Sequence, residues 1–392
     1  MKKEGTKTYK WTIGYILINV LYFCVFCSVH GFAAVILLDR GFSNALIGIT
    51  LAVANILSAL GQPIIAGIVD RSEKVTNRRV IMVSSIILIV AVIALKFIGT
   101  NTVAVFAVFA LIYGLQFMYQ SNMIAMSFEY QRAGCDINFG LARGLGSAGF
   151  AISSAIMGGF VERMGTDVLL YFTIIALAAL TVVTYLYKKP GEGSKVSADG
   201  EPKGTGALDF FKKYKRFMLF ILGTALCFFS HNMLNDYLIQ IIKSLGGGES
   251  QLGYATFLAA ILELPVMALI GIVLARIKAN KVLVFSAVAF LAKNIIMLLA
   301  AGMFGMYLSQ ACQLLAYAVF IPTAAYYADA IMEKQDKVKG QAFINSAITL
   351  GGVFSSLICG KILDVAGVRT MLVAGSLVCL IGVATITSAV RK

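Results

Sequence analysis

Runs of about twenty apolar residues recur along this chain, separated by short polar turns, and this spacing constrains the fold more than any other feature. A helix needs about 20 predominantly apolar residues to cross the hydrocarbon core of a membrane. Charged residues make up 13% of the chain, about half of the share that is usual in a soluble domain. The sequence therefore predicts an all-α membrane protein of about twelve helices, which cover 11–36, 45–68, 80–98, 103–130, 139–161, 168–187, 216–242, 251–275, 281–300, 306–331, 340–363 and 371–389.

The one long polar segment lies near the middle of the chain. Its glycines and prolines between Lys188 and Lys215 are typical of a flexible linker. We therefore predict an N-terminal six-helix bundle over 1–187, a cytoplasmic linker over 188–215 and a C-terminal six-helix bundle over 216–392.

The two predicted bundles also resemble each other in sequence. A constant offset of 202 residues relates short matches in several separate helices, which is harder to obtain by chance than one match. The pairs are Pro63 with Pro265, Gly149 with Gly351, Ser153 with Ser355, Glu162 with Asp364 and Gly165 with Gly367. The two halves are therefore predicted to be pseudo-symmetric.

The basic residues mark one side of the membrane. Of the 33 lysines and arginines, 25 fall on the side of the chain termini in the twelve-helix topology. The positive-inside rule places that side in the cytoplasm, so we expect a multi-pass protein of the cell membrane with both termini cytoplasmic. The basic residues lie at helix ends and form no patch on a soluble domain, so no nucleic-acid partner is expected.

The loop after the second helix carries a recognisable motif. Ala66-Gly67-Ile-Val-Asp70-Arg71 is followed, after six residues, by Arg78-Arg79. This pattern resembles the signature of the major facilitator superfamily, and the resemblance extends over the whole chain. It implies twelve helices in two six-helix bundles and a conformational gate formed by Gly67, Asp70, Arg71, Arg78 and Arg79. The resemblance also implies a close approach of helices 2 and 11 at small residues.

Three further segments are similar to one group of that superfamily, the lactose-permease-like oligosaccharide:proton symporters. These segments are Phe139-Gly-Leu-Ala-Arg143, Gly253-Tyr254 and Glu263-Leu-Pro265. In that register Arg143 takes the place of the group's sugar-binding arginine. Other solute-contacting and coupling positions of the group hold different residues here, namely Ala125, Ala260, Tyr317 and Phe320. The resemblance therefore carries over neither lactose as the solute nor the group's coupling mechanism.

Ionisable side chains inside membrane helices are candidates for transport chemistry, because a charge at the bilayer centre costs at least about 2.5–3.5 kcal/mol. Glu263 lies deep in an apolar run, where loss of water makes its protonated form accessible, as a proton carrier requires. Lys293 is its expected partner. The alternative is a static salt bridge that only fixes helix packing. Glu129 and Asp329 complete the predicted proton-coupling set.

Polar residues on helices 1, 4, 5, 7 and 10 are the predicted solute ligands. Alternatives stay open: Arg143 forming a structural ion pair with Glu129, and Asp236 capping a broken helix. For His30 the alternative is a bond to a neighbouring backbone carbonyl. The full set is Arg143, His30, Asn232, Asn235, Asp236, Gln120, Gln313 and Tyr317.

Together these features favour a secondary transporter that imports a small polar solute such as a sugar, glycoside or nucleoside with protons. An exporter of amphipathic compounds and an importer of organic acids remain alternatives. The chain lacks nucleotide-binding and zinc-protease motifs, and its seven cysteines lie mostly in apolar helices. We therefore expect no enzyme activity, no cofactor beyond the proton gradient and no metal. The expected partners are the lipid bilayer and a solute, and we expect a monomer.

Overall fold

The computed structural model describes residues 5–72, 74–189 and 207–391, which form helices joined by short turns, without a strand among them. Eleven of these helical stretches are long and apolar enough to cross a membrane. The longest, Lys337–Val390, contains Gly367 with a non-helical backbone (φ 76°, ψ 178°), so it comprises two spans. The prediction of an all-α membrane protein with twelve spans is confirmed.

Contacts divide the chain into two compact units. The N-terminal unit comprises Met1–Phe42 and Val53–Ala198, and the C-terminal unit comprises Ser43–Ala52 and Asp199–Lys392. Most of the predicted linker, 190–206, lies outside the described residues. The last part of the predicted linker was also expected to be flexible, but Ala207–Lys213 forms a short helix instead.

The N-terminal unit contains the first six spans. The first span combines α1 (Gly5–Phe26), a π-helical turn (Cys27–Gly31) and α2 (Ala33–Asp39). The others are α3 (Asn44–Arg71), whose first part groups with the C-terminal unit, α4 (Asn77–Phe97), α5 (Thr102–Met118) with α6 (Gln120–Arg132), α7 (Phe139–Met164) and α8 (Asp167–Leu186).

The C-terminal unit begins with α9 (Ala207–Lys213). Its spans are α10 (Lys215–Asp236) with α11 (Leu238–Ser244), α12 (Glu249–Arg276), α13 (Ala279–Leu299), α14 (Met303–Ala311) with a 3-10 turn (Cys312–Leu314) and α15 (Tyr317–Ile331), and the two parts of α16 (Lys337–Val390).

Local sequence signals set several helix ends. Thr76, Asn101 and Asn138 precede α4, α5 and α7, and each side chain accepts a hydrogen bond from the backbone N–H three residues later. These are ordinary N-caps, which satisfy donors that the first turn leaves free. Gly165 ends α7 with φ 82° and ψ 177°, almost the conformation of Gly367 at the matching repeat position. The backbone conformation at these two glycines thus agrees with the sequence repeat at an offset of 202 residues.

Spans 1, 4, 7 and 10 are each interrupted, although the sequence predicts continuous helices there. The breaks lie at the π-helical turn, at Tyr119, at Tyr237 and at the 3-10 turn. Hydropathy reports how apolar a segment is and not whether its backbone is continuous. Helix-breaking residues give little further signal, because only the π-helical turn contains a glycine and no break contains a proline. Such irregular backbone inside a membrane is tolerated where protein or a cavity satisfies the freed polar groups. The breaks therefore mark spans in which functional groups are expected.

Candidate functional site

An amide lies between the two predicted coupling residues of the C-terminal unit. The Lys293 ammonium donates a hydrogen bond to Oε1 of Gln313, and Nε2 of Gln313 donates to Oε1 of Glu263 at 2.6 Å. Lys293 is fully buried and Glu263 is partly buried. The sequence predicts Glu263 and Lys293 as partners but assigns Gln313 to the solute, whereas the structure places Gln313 between them. We call Glu263, Gln313 and Lys293 the bridged triad.

The interrupted tenth span positions the triad. Gln313 lies in the 3-10 turn between α14 and α15, which leaves backbone carbonyl groups without helical partners. Ser286 donates its hydroxyl hydrogen bond to the carbonyl of Ala316 at 3.0 Å, and Ser309 donates to the carbonyl of Lys293 at 2.8 Å. These buried serines fix the turn against α13, so that the amide of Gln313 faces both charged groups.

A second polar group of the C-terminal unit surrounds His231, which the sequence reasoning left out of its candidate set. The ring of His231 stacks on Tyr317, with centroids 5.1 Å apart and planes inclined by 13°. The amide nitrogen of Asn235 lies 3.0 Å from Nε2 of His231. The four-residue spacing of His231 and Asn235 was the available signal, since residues at this spacing share a helical face.

Asn232 and Asp236 lie on the shared face that their spacing predicts, and this face is turned towards α16. Asn232 packs against Gly352, where an added Cβ would meet its Nδ2 at 3.0 Å. The Asp236 carboxylate accepts a hydrogen bond from Ser356 at 2.8 Å. Asp236 is also the last residue of α10, at the break. Its side chain is hydrogen-bonded to the neighbouring helix, and its assignment to the solute stays a prediction.

In the N-terminal unit, Arg143 and Glu129 have different neighbours from those expected. The Arg143 guanidinium lies 4.3 Å from the centre of the Phe23 ring and donates to Ser147 at 2.5 Å. Glu129 forms a salt bridge of 2.6 Å with Lys189, which follows α8 and folds back onto the end of α6. The suggested pairing of Glu129 with Arg143 is therefore replaced, because the sequence does not reveal where the chain after α8 returns.

His30 lies in the π-helical turn among aromatic rings. Its ring stacks on Phe26, with centroids 4.1 Å apart and planes inclined by 7°, and lies 3.7 Å from the ring centre of Tyr113. Phe26 and His30 are partly exposed, as is Gln120, which begins α6 directly after the break at Tyr119. The N-terminal unit thus contains a cluster of aromatic rings around His30.

The predicted gate residues divide into two groups in the structure. Arg78 is buried and donates to the carbonyl oxygens of Thr184 (3.4 Å) and Tyr185 (3.1 Å), so it caps the C-terminal end of α8. Arg79 donates to the carbonyl of Lys74. Gly67, Asp70 and Arg71 lie in the last two turns of α3.

The close helix contact expected at Gly67 is found at another glycine of α3. An added Cβ at Gly67 would meet no described atom within 4 Å, whereas one at Gly48 would overlap the Ser356 carbonyl oxygen on α16. Gly48 and Ser356 both belong to the C-terminal unit. The expectation about small residues on helices 2 and 11 is therefore met, but about five helical turns earlier in α3.

Asp329 lies near the end of α15 and is 62% exposed, in a salt bridge of 2.7 Å with Lys337. An exposed ion pair of this kind contributes about 0–1 kcal/mol. The pair lies at a helix end and is exposed, whereas Lys293 and Gln313 of the bridged triad are buried.

The profile of the MFS_1 like family matches residues 13–374. The chain belongs to this family. The prediction of a major facilitator protein with two six-helix bundles is confirmed, and with it the expectation of a transporter family instead of an enzyme family. The family assignment alone names no solute.

Curated and solved relatives agree with the family. The chain is 24% identical to a maltose permease of Geobacillus stearothermophilus over 62% of its own length and 60% of the relative's; it thus spans less than two thirds of that relative. A crystal structure of the nucleoside transporter NupG superimposes with a TM-score of 0.82 at 17% identity, covering 97% of this chain and 99% of that one. A bacterial homologue of the human lysosomal transporter Spinster gives a TM-score of 0.68 at 15% identity, over 100% and 98% of the two chains. At these identities the structural matches establish the fold.

Proposed function

We propose that this protein is a proton-coupled secondary transporter that imports a small hydroxylated solute, a sugar or nucleoside, by alternating access. The bridged triad carries the proposal, because it places an ionisable carboxyl group and a buried ammonium group on the two sides of one amide inside a membrane span. Buried charges of this kind are expensive and are typical of ion pathways.

Binding of a proton changes the total charge of the bridged triad. With Glu263 ionised, the carboxylate and the Lys293 ammonium sum to zero, and the amide of Gln313 donates to one and accepts from the other. Protonation of Glu263 removes the negative charge and leaves the buried ammonium uncompensated. An uncompensated charge in a low-dielectric interior is strongly unfavourable. Proton binding therefore favours a different arrangement of α12, α13 and the interrupted tenth span.

The solute class rests on the neutral and aromatic groups of the predicted ligand set. The rings around His30 offer flat faces for a base or the apolar face of a sugar, and Gln120 and Arg143 offer hydrogen-bond donors for hydroxyl groups. The maltose permease and the nucleoside transporter among the relatives support this class, since maltose and nucleosides both contain sugar rings.

A transport assay in proteoliposomes tests the proposal. An inward proton gradient is imposed, and uptake of labelled maltose and uridine is measured for the wild type, for Glu263→Gln and for Glu249→Gln. Glu249 is the matched control, because it lies at the start of the same helix and pairs with Lys243 at 3.0 Å. We expect Glu263→Gln to abolish gradient-driven accumulation while solute exchange without a gradient persists, and Glu249→Gln to retain both.

Other results point elsewhere. Gradient-driven uptake that survives in Glu263→Gln makes the triad a static packing element and removes the proposed coupling role. Dependence on a sodium gradient alone replaces the proton as the coupling ion. Uptake of organic acids alone, or export of amphipathic dyes alone, replaces the proposed solute class with one of the two alternatives.

The membrane and the topology belong to the same proposal. We infer a monomer in the cell membrane with both termini cytoplasmic; the distribution of basic residues supports the orientation. Fusion of a reporter that fluoresces only in the cytoplasm to the C-terminus checks the orientation, and a dark but full-length fusion would reverse it.

A further inference from the structure

A basic cavity at one end of the C-terminal unit lies apart from the bridged triad. It has a volume of about 390 Å³ and lies where α9 leads into α10, against Asn280, the end of α15 and the end of α16. Pockets for small ligands occupy about 300–1,000 Å³. Its basic lining residues are Lys212, Lys213, Lys215, Arg216 and Arg391, and none of the described residues that line it is acidic.

Among the described residues, only one of these five basic side chains has an acidic partner. Lys213 is paired with Glu333 at 2.7 Å and with Asp336 at 3.3 Å. The other four basic residues have no acidic partner within the described ranges 5–72, 74–189 and 207–391. The cavity therefore presents a concentration of positive charge that an anion would neutralise.

The C-terminal end of α16 faces the cavity, and its carbonyl groups do not repel an anion. The last carbonyl groups of α16 carry the negative end of the helix dipole. The Val390 carbonyl accepts a hydrogen bond from Asn280 at 2.8 Å, and the Arg391 carbonyl accepts one from Arg216 at 3.3 Å. These donors satisfy the carbonyl groups and leave the cationic side chains to determine the local field.

The remaining lining of the cavity includes apolar and aromatic side chains. Phe217 and Tyr327 are buried at the base of the cavity, and Ile331 is 40% exposed at its edge. A soluble anion needs cationic groups but gains nothing from an apolar edge, whereas an amphiphilic anion uses both. Basic pockets between membrane helices on the cytoplasmic side are known to hold phospholipid head groups.

We propose that this cavity binds one anionic phospholipid, with its phosphate at Lys212, Lys215 and Arg216 and an acyl chain against the edge formed by Ile331. The site lies at the end of the bundle that the basic residues predict to be cytoplasmic, where anionic lipids give the membrane surface its negative charge.

Lipid retention by the full-length protein tests the site. The protein is purified from nanodiscs that contain phosphatidylglycerol and phosphatidylethanolamine, and bound lipids are counted by native mass spectrometry. The pocket variant is Lys212→Gln with Lys215→Gln and Arg216→Gln. A matched control removes three charges from exposed basic residues outside the cavity, in Arg276→Gln with Lys278→Gln and Lys334→Gln.

Each cation near a membrane phosphate contributes about a five-fold change in affinity. We therefore expect the pocket variant to bind phosphatidylglycerol on the order of 100-fold more weakly, and the control variant to match the wild type. Should the triple variant not fold, Lys215→Gln alone is expected to weaken binding about five-fold.

Three outcomes would overturn the proposal. Equal losses in the pocket and control variants would mean that the lipid responds to overall charge. Equal retention of phosphatidylethanolamine and phosphatidylglycerol would mean that the site does not select an anion. Complete displacement by equimolar glycerol 3-phosphate would identify a site for a soluble phosphate. None of these measurements depends on solute transport, so the proposed function can fail or stand separately.

Discussion

Replacing Gln313 by leucine removes the amide between two charged groups while keeping a side chain of similar size. Both hydrogen bonds of this amide are to charged groups, and such bonds contribute about 1.5–3 kcal/mol each. The loss is therefore at most about 3–6 kcal/mol. Because Glu263 is partly exposed and its carboxylate can be hydrated once the amide is gone, we expect the lower end of this range, roughly 3 kcal/mol, in the free energy of unfolding.

Gln310 is the matched control, three residues earlier in the same span. It is also buried, and its Nε2 has no hydrogen-bond partner among the described residues. Removing a buried donor that is already unsatisfied costs little, so we expect Gln310→Leu to change the free energy of unfolding by less than about 1 kcal/mol. Unfolding in mixed micelles measures both variants.

A double-mutant cycle then separates the bridge from simple packing. Lys293→Met combined with Gln313→Leu should lose clearly less than the sum of the single changes, because both variants remove the same contact. Equal destabilisation by Gln313→Leu and Gln310→Leu, or full additivity in the cycle, would refute the reasoning that the amide couples the two charges.

Two further predictions concern the scaffold. Arg78→Gln should lower the free energy of unfolding by about 1.5–3 kcal/mol, because it removes charged hydrogen bonds to the end of α8; denaturant titration of the purified protein measures this, and no loss in Arg78→Gln would show that the cap is dispensable. Gly165→Ala and Gly367→Ala should each cost about 1–3 kcal/mol, since their backbone conformation is essentially restricted to glycine; Gly67→Ala in a regular helix is the control, and melting temperatures that fall no further than in this control would contradict the assignment.

Much of the fold could be predicted from the sequence because it depends on composition over long windows. Apolar runs located the twelve spans, and the offset of 202 residues matched Gly165 to Gly367, whose backbone angles agree in the structure. The interruptions of spans 1, 4, 7 and 10 could not be predicted. They depend on side chains from other helices, such as the serine that bonds the Ala316 carbonyl.

The candidate site was predictable in part, because charged residues are conspicuous in apolar segments. Glu263 and Lys293 stand out as isolated charges in apolar runs, so their chemical types alone point to a pair. That Gln313 lies between them depends on the rotation that the 3-10 turn gives to its side chain. The partner of Glu129 was missed because Lys189 follows a different helix. The sequence does not show that the chain after α8 lies next to the end of α6.

The matching glycine turns at 165 and 367 bear on how such a chain diversifies. A turn that only glycine adopts easily restricts which substitutions either half can accept at that position, so both halves hold glycine there. The side chains of the candidate site carry no such backbone restriction. Each half can therefore hold its own chemistry, here the bridged triad in one and a group of aromatic rings in the other.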